Sequence, residues 1–278
     1  MDNIKILEND LDNIINLYKN NTSLREIQQI TGYNRQKISK ILSNIGIKTS
    51  VGNHYRKYFF DFNFFENIDD QIKSYWLGFL YADGCVLPQN KYGEQTFKLA
   101  IGEKDIKTIE QFKTDMKSSY PIRRDCSRHL KEPTHQVQVL LEQRSQKTVN
   151  DLKKLGCVEN KSLVLTFPTE EQVPKSLIYH FIRGYFDGDG SICKDIHHKN
   201  KIYYSINITG TESFIKTLST YFQYGNVIKD KRKTNSWYYC VHKQKEVIDF
   251  CNMIYKDAER YLERKYLRYQ ELLKYNES

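Results

Sequence analysis

Two short stretches hold the residues best placed to do chemistry. Asp83-Gly84 closes the apolar segment Trp76-Leu-Gly-Phe-Leu-Tyr-Ala-Asp-Gly-Cys-Val86, and Asp189-Gly190 closes Ile182-Arg-Gly-Tyr-Phe-Asp-Gly-Asp-Gly-Ser-Ile192. Gly78 and Ala82 lie four residues apart, as do Gly184 and Gly188, so each pair makes a stripe of small residues on one helix face. Two helices bearing such stripes can bring their backbones close together. Each helix is expected to end at its aspartate, with Gly84 or Gly190 in the left-handed conformation that stops a helix. A carboxylate at a helix C-terminus faces the negative end of the macrodipole, and two side by side repel. A divalent cation offsets both effects, and Mg²⁺ favours a few carboxylates together with substrate phosphates. A single Asp-Gly after an apolar run is an ordinary turn signal. Two copies, each with its stripe and the same downstream pattern, point to a site.

The elements that must position these carboxylates repeat. After Gly84 the pattern predicts strands over 85–87 and 96–101, a helix over 102–112, strands near 120–124 and 136–141, and a helix over 146–155. After Gly190 the order recurs: strands near 191–193 and 203–209, a helix over 212–222, strands near 226–229 and 236–242, and a helix over 245–255. Ile-Lys-Thr stands in the middle helix of both copies, at 106–108 and 215–217. The intervening bridge, 160–168, is apolar and too short to separate two bodies. A charged helix over 261–275 offers Leu262, Leu267 and Leu272 for docking. Such repetition implies two similar halves about a pseudo-twofold axis.

Ahead of them, Ile4, Leu7, Leu11, Ile14, Ile15 and Leu17 form a helical stripe over 4–20. Ser23, with Glu26 three residues on, is placed to cap a second helix that buries Leu24, Ile27 and Ile30 and stops at Gly32. Asn34 is placed to cap a third, with Ile38, Ile41, Leu42 and Ile45, ending at Gly46. This reads as a helix-turn-helix whose last helix offers Arg35, Gln36, Lys37, Ser39 and Lys40 to a DNA major groove; small three-helix units also serve as protein-interaction modules. Residues 47–60 read as a basic linker. The domains are therefore 1–46, a linker over 47–60, a first half over 61–165 and a second over 166–278.

The formal charge of +9 on 278 residues suggests a polyanionic partner. The 21 tyrosines suit nucleic-acid contact but also follow from AT-rich coding. Six scattered cysteines without a Cys-x-x-Cys pair read as reduced thiols. The start lacks a signal-peptide pattern and no apolar run reaches the length of a membrane span, so a soluble cytoplasmic chain with no membrane partner is expected. His197, His198 and His242 have no metal-ligand spacing, and no glycine-rich phosphate loop occurs.

Both motif stretches resemble the LAGLIDADG sequence of homing endonucleases in its double-motif, single-chain form, the first over 76–84 and the second over 182–190. The resemblance covers about 60–275 of the chain. Tyr81 departs from the motif, where its name has the first Asp; the second copy keeps Asp187. The metal-binding acid of the family is the last one, which both copies retain. The resemblance implies an α+β fold of two pseudo-symmetric αββαββα halves, motif helices at the interface and eight strands in a saddle over DNA, joined to the small all-α N-terminal domain.

On that footing Asp83 and Asp189 would hold Mg²⁺ (or Mn²⁺) with the backbone oxygens of Ala82 and Gly188, and no other small-molecule cofactor is expected. Basic side chains near each scissile phosphate are implied too, and the strand-to-helix junctions supply Lys243 and, in the first half, Lys147 or Arg144. Alternation along strands puts Arg123, Arg124, Arg128, Lys199, Lys201, Lys229, Lys231, Arg232 and Lys233 where they could meet DNA, with some left on a solvated rim. The expected activity is site-specific double-strand cleavage of a long asymmetric DNA target by a monomer. A non-catalytic DNA-binding regulator and an intron RNA maturase are the alternatives on the same scaffold. An intein is not expected, because the sequence begins Met1-Asp2 and ends Tyr275-Asn-Glu-Ser278, without the terminal His-Asn and nucleophile that splicing needs.

Overall fold

The computed structural model describes residues 8–19, 22, 24–47, 58–90, 93–132, 134, 136–196 and 201–277. They form two compact units, one within 1–59 and the other spanning 60–278. No helix among the described residues is long and apolar enough to cross a membrane.

The first unit holds α1 (Glu8–Lys19), α2 (Leu24–Thr31) and α3 (Arg35–Asn44). Ile14, Leu24, Ile27, Ile38, Ile41 and Leu42 close its core. The Asn34 side chain accepts from the Lys37 N–H at 2.8 Å, capping α3 as its position predicts. Gly32 and Gly46 take positive φ and end α2 and α3. Two expected core residues are not buried: Ile30 is 59% exposed and Ile45 42%, because so short a bundle closes over one face of each helix. Ile4, Leu7 and the Ser23 cap lie outside the described residues.

In the second unit the first half runs α4 (Gln71–Asp83), β1 (Gly84–Val86), β2 (Thr96–Gly102), α5 (Ile106–Asp115), β3 (Arg123–Asp125), α6 (Ser127–Lys131), β4 (Gln138–Arg144) and α7 (Gln146–Lys154). The second half repeats this as α8 (Ile178–Asp189), β5 (Gly190–Ile196), β6 (Ile202–Gly210), α9 (Glu212–Ser219), β7 (Asn226–Lys229), β8 (Trp237–Val241) and α10 (Gln244–Tyr255), and α11 (Glu263–Glu277) follows. Each half has one antiparallel sheet, ordered β1-β2-β4-β3 and β5-β6-β8-β7. The α+β class and the paired halves are those expected. Strands β2, β4 and β5 run beyond the predicted limits, and α6 carries no apolar period from which to predict it. Strand β2 alternates, with Phe97, Leu99 and Ile101 buried, and β6 buries Tyr204, Ile206 and Ile208 in the same way. In α11, Leu262 just ahead of it and Leu272 are buried, but Leu267 is 60% exposed because it faces away from the helix's single docking side.

Helices α4 and α8 pack together more extensively than any other pair. Asp70 caps α4 by accepting from the Lys73 N–H at 2.8 Å, and every residue from Ser74 to Tyr81 is buried, as befits a helix surrounded by protein. A Cβ on Gly78 would sit 2.0 Å from the Phe181 carbonyl oxygen, and one on Gly184 1.9 Å from that of Tyr75. Each glycine therefore admits the partner's backbone. Gly84 and Gly190 do not take the left-handed conformation expected from the sequence; both are extended (φ −78° and −99°) and open β1 and β5. Their smallness is needed for space: a Cβ would lie 2.5 Å from the Leu80 oxygen in the first case and 2.2 Å from the Phe186 ring in the second.

Gly184→Ala should destabilise the second unit by about 3 kcal/mol or more, because backbone on both sides cannot yield. Leu267→Ala, on an exposed face, should change little. Urea unfolding measures both, and parent-like stability for Gly184→Ala would contradict the close packing.

Candidate active site

Asp83 and Asp189 end α4 and α8, and the helix crossing brings them together: a Cβ on Gly188 would stand 3.2 Å from Asp83 Oδ2 and 2.2 Å from the Ala82 Cβ. Burial, then the charge of Asp189, pushes the Asp83 carboxyl up to about 6, against the pull of Lys265, Lys161 and Arg264. Desolvation also raises Asp189, whose side chain still reaches solvent, and Lys161 and Lys265 oppose it.

These two lysines were not found from the sequence. Lys161 is 8% exposed, and its Nζ donates to the carbonyls of Ala82 (3.1 Å) and Gly84 (2.7 Å). Lys265 is 4% exposed and donates to Phe186 (2.6 Å), Asp187 (2.8 Å) and Gly190 (2.5 Å). Each thus satisfies the carbonyls at the end of one motif helix with a cation, the charge that this end of the dipole favours. Burial lowers Lys265 to about 8, with the Asp187 carboxylate opposing. The signal was available: a lysine recurs at nearly the same distance behind each motif aspartate, 83 to 161 and 189 to 265.

Asp187 is buried and accepts from Tyr75 Oη (3.0 Å), Tyr255 Oη (2.8 Å) and the Leu262 N–H (2.7 Å); burial raises its pKa. At the matching place Tyr81 donates to the Leu155 carbonyl. Either residue ties its motif helix to the chain that follows the last helix of its own half, so the departure at Tyr81 leaves that tether in place.

Residues 176–255, from the turn before α8 to the end of α10, match the LAGLIDADG-like domain. The chain carries a LAGLIDADG-like domain. Its fold is that of the LAGLIDADG homing endonuclease I-SmaMI: the structure of that enzyme bound to cleaved DNA aligns with a TM-score of 0.50 and 17% identity over 72% of this chain and 87% of that one. I-SmaMI bound to an uncleaved DNA target in the presence of calcium ions aligns equally well, at 0.50 and 16% over 72% and 89%. No curated protein sequence matches the chain.

The other predicted basic residues are held in ion pairs with different carboxylates. Lys147 holds Glu66 and Asp151, both at 2.9 Å, Arg144 holds Glu94 at 2.8 Å, and Lys243 holds Glu246 at 3.0 Å. Among the backbone oxygens, that of Ala82 already accepts from Lys161. Among the described residues no three His, Cys, Asp or Glu side chains converge as metal ligands. Two crowded carboxylates beside a polar cleft nevertheless suit a hard divalent ion that takes its remaining oxygens from water and phosphate.

Of the residues expected to meet DNA, Arg123 is exposed at the edge strand β3, and Lys229, Lys231 and Lys233 are exposed at and beyond β7. Arg124 pairs with Glu103. Arg232 pairs with Asp230 at 3.0 Å, holding that carboxyl well below the ordinary range, and bonds Tyr238 Oη at 3.1 Å. Lys201 is exposed, with its Nζ 5.2 Å from the Tyr203 ring centre. Lys199, His197, His198 and the Arg128 side chain lie outside the described residues. On α3, Arg35, Gln36 and Lys40 are exposed and Ser39 is half-buried, while Lys37 lies over the Tyr33 ring at 4.4 Å.

Because burial and the neighbouring charge raise the Asp83 pKa, the folded state holds that proton more tightly than the unfolded chain does. In EDTA the contribution of Asp83 to stability should therefore rise as pH falls from 7 through about 6 towards 4, whereas His180, lowered by burial to about 4, contributes the opposite slope. Asp83→Asn should flatten that rise and stabilise the protein at pH 7.5 by on the order of 1–2 kcal/mol. Thermal melts across pH test this, and a parent-minus-variant difference that does not vary with pH would contradict it.

Proposed function

We propose that the protein is a site-specific DNA endonuclease that hydrolyses both strands of a long asymmetric target as a monomer. The observation that carries this reading is the pair Asp83 and Asp189 at abutting helix ends, each end neutralised by a buried lysine. One chain supplies both carboxylates, and its halves differ in sequence, so two unlike half-sites suit it. Phosphodiester hydrolysis requires water to attack phosphorus and the bond to the 3′-oxygen to break, leaving a 5′-phosphate and a 3′-hydroxyl.

Asp83 and Asp189 would hold Mg²⁺ or Mn²⁺, which when bound supplies Lewis acidity towards water and the leaving oxygen. The chain's own residues do the rest. Lys161 and Lys265 draw the carboxylates towards their ionised, metal-competent form and leave positive charge beside an incoming phosphate. The rigid α4–α8 contact fixes the spacing of the two acids without depending on loops. Exposed cations on β3 and beyond β7 would follow the phosphate backbone. In the N-terminal unit, α3 presents Arg35, Gln36 and Lys40 as a recognition helix, lengthening the site read.

The reading is tested by selection on a randomised duplex library, with Mg²⁺ and with EDTA; metal-dependent recovery of one long asymmetric cut site is expected. Binding without cutting would favour a DNA-binding regulator. Asp83→Asn and Asp189→Asn should each abolish double-strand cleavage while retaining duplex binding, and wild-type cutting by both would refute the mechanism. Deleting residues 1–46 should weaken binding and flatten the dependence of log K on log salt, by about one unit of slope for each phosphate that the shortened protein no longer neutralises. An unchanged slope would remove DNA contact from that unit.

A further inference from the structure

The two ends of the acid pair are not equivalent. A cleft of about 250 Å³ opens beside Asp83, lined by Gly188, Gln138, Lys104, Asp105 and Arg264 among others. Arg264, in the first turn of α11, directs Nε to both oxygens of Asp105 at 3.2 and 3.1 Å. Its Nη1 and Nη2 make no hydrogen bond among the described residues, and the side chain is 48% exposed. Asp105 thus holds one edge of the guanidinium and leaves the fork of two N–H₂ groups directed away. Lys104 stands exposed in the same lining.

The pseudo-symmetry shows what occupies the matching places. Gly84 pairs with Leu99 in one sheet and Gly190 with Ile208 in the other, so Leu99 matches Ile208. Counting on from these, Lys104 matches Ser213 and Asp105 matches Phe214, in register with the repeated Ile-Lys-Thr. The buried lysines match, so the residues just before them, Asn160 and Arg264, match as well. All three charges at one end are uncharged residues at the other. Phe214 is fully buried with its ring centre 4.1 Å from that of Tyr185, so that place is filled by packed aromatics. Arg264 joins the two lysines in opposing the rise of the Asp83 pKa, while Lys161 and Lys265 oppose that of Asp189.

We propose that Lys104 and Arg264 grip the backbone of one DNA strand only, so that the two strands are held and cut unequally. A guanidinium fork fixed by a carboxylate and open on its other edge suits two phosphate oxygens, and a lysine beside it adds charge. At the matching places of the other end, Asn160, Ser213 and Phe214 carry no charge. The inference rests on the endonuclease reading for cleavage, but the grip itself is a property of binding.

The test uses the full chain and a plasmid bearing the selected target, with the strands separately labelled, in Mg²⁺. One strand should be nicked first and nicked circles should accumulate. Arg264→Gln and Lys104→Gln should each slow that strand about 10- to 100-fold, the range for losing a charge-assisted hydrogen bond, and leave the other strand's rate unchanged. Lys104 is exposed, so its variant tests the grip even if Arg264→Gln misfolds. In parallel, binding in EDTA is measured on duplexes with neutral methylphosphonates over the central phosphates of one strand or the other. Both variants should lose affinity on every duplex except the one neutralised in the gripped strand. Equal nicking of both strands by the wild type, or a strand ratio unchanged in both variants, would overturn the inference and leave the endonuclease reading standing. Absence of cutting with strand-selective affinity loss would support the grip and overturn that reading. Affinity unaffected by both variants on every duplex would overturn the grip.

Discussion

The contact of α4 with α8 is the constraint on which the rest of the second unit depends. Gly78 and Gly184 place each helix backbone against the other, closer than any side chain allows. Because both helices end at their aspartates, this one contact fixes where two carboxylates meet and where β1 and β5 begin. The sheets, the flanking helices and the shared apolar core then grow outward from a common axis.

That geometry is electrostatically unfavourable by itself. Two carboxylates meet at the negative ends of two dipoles, in surroundings that desolvate them. The fold answers with buried cations: Lys161 and Lys265 each reach into the carbonyls at one helix end.

Duplication of the half does not make the two ends identical. The Asp187 tether and the Tyr81 tether do the same work with different chemistry. Arg260 forks onto Asp115 at 2.7 Å, and the pairs Arg264–Asp105 and Lys107–Glu263 also join the C-terminal segment to the first half. The reverse crossing is made by neutral bonds, Asn235 Nδ2 to the Leu163 carbonyl at 2.8 Å and Thr211 Oγ1 to that of Leu165. Once both halves lie in one chain, each position is free to diverge from its mate.

The sequence by itself determined the motif helices, the two acids, the order of elements in both halves and the Asn34 cap, because these are local: they follow from periodicity, glycine spacing and short-range hydrogen bonding. It also determined that the stripes would pack, since Gly78 and Gly184 have no other evident use. Only the tertiary structure decided the cations. Lys161 lies in a segment without periodicity and Lys265 in a charged helix whose apolar positions do not include it, and nothing local distinguishes either from exposed lysines such as Lys243. Their role depends on a fold that carries each Nζ to carbonyls more than seventy residues away in the chain. The same holds for Gly84 and Gly190, whose conformation is set by the strand that starts there and by the side chains pressed against them. What acts within a few residues can be read along the chain; what depends on which distant surfaces share a volume requires the fold.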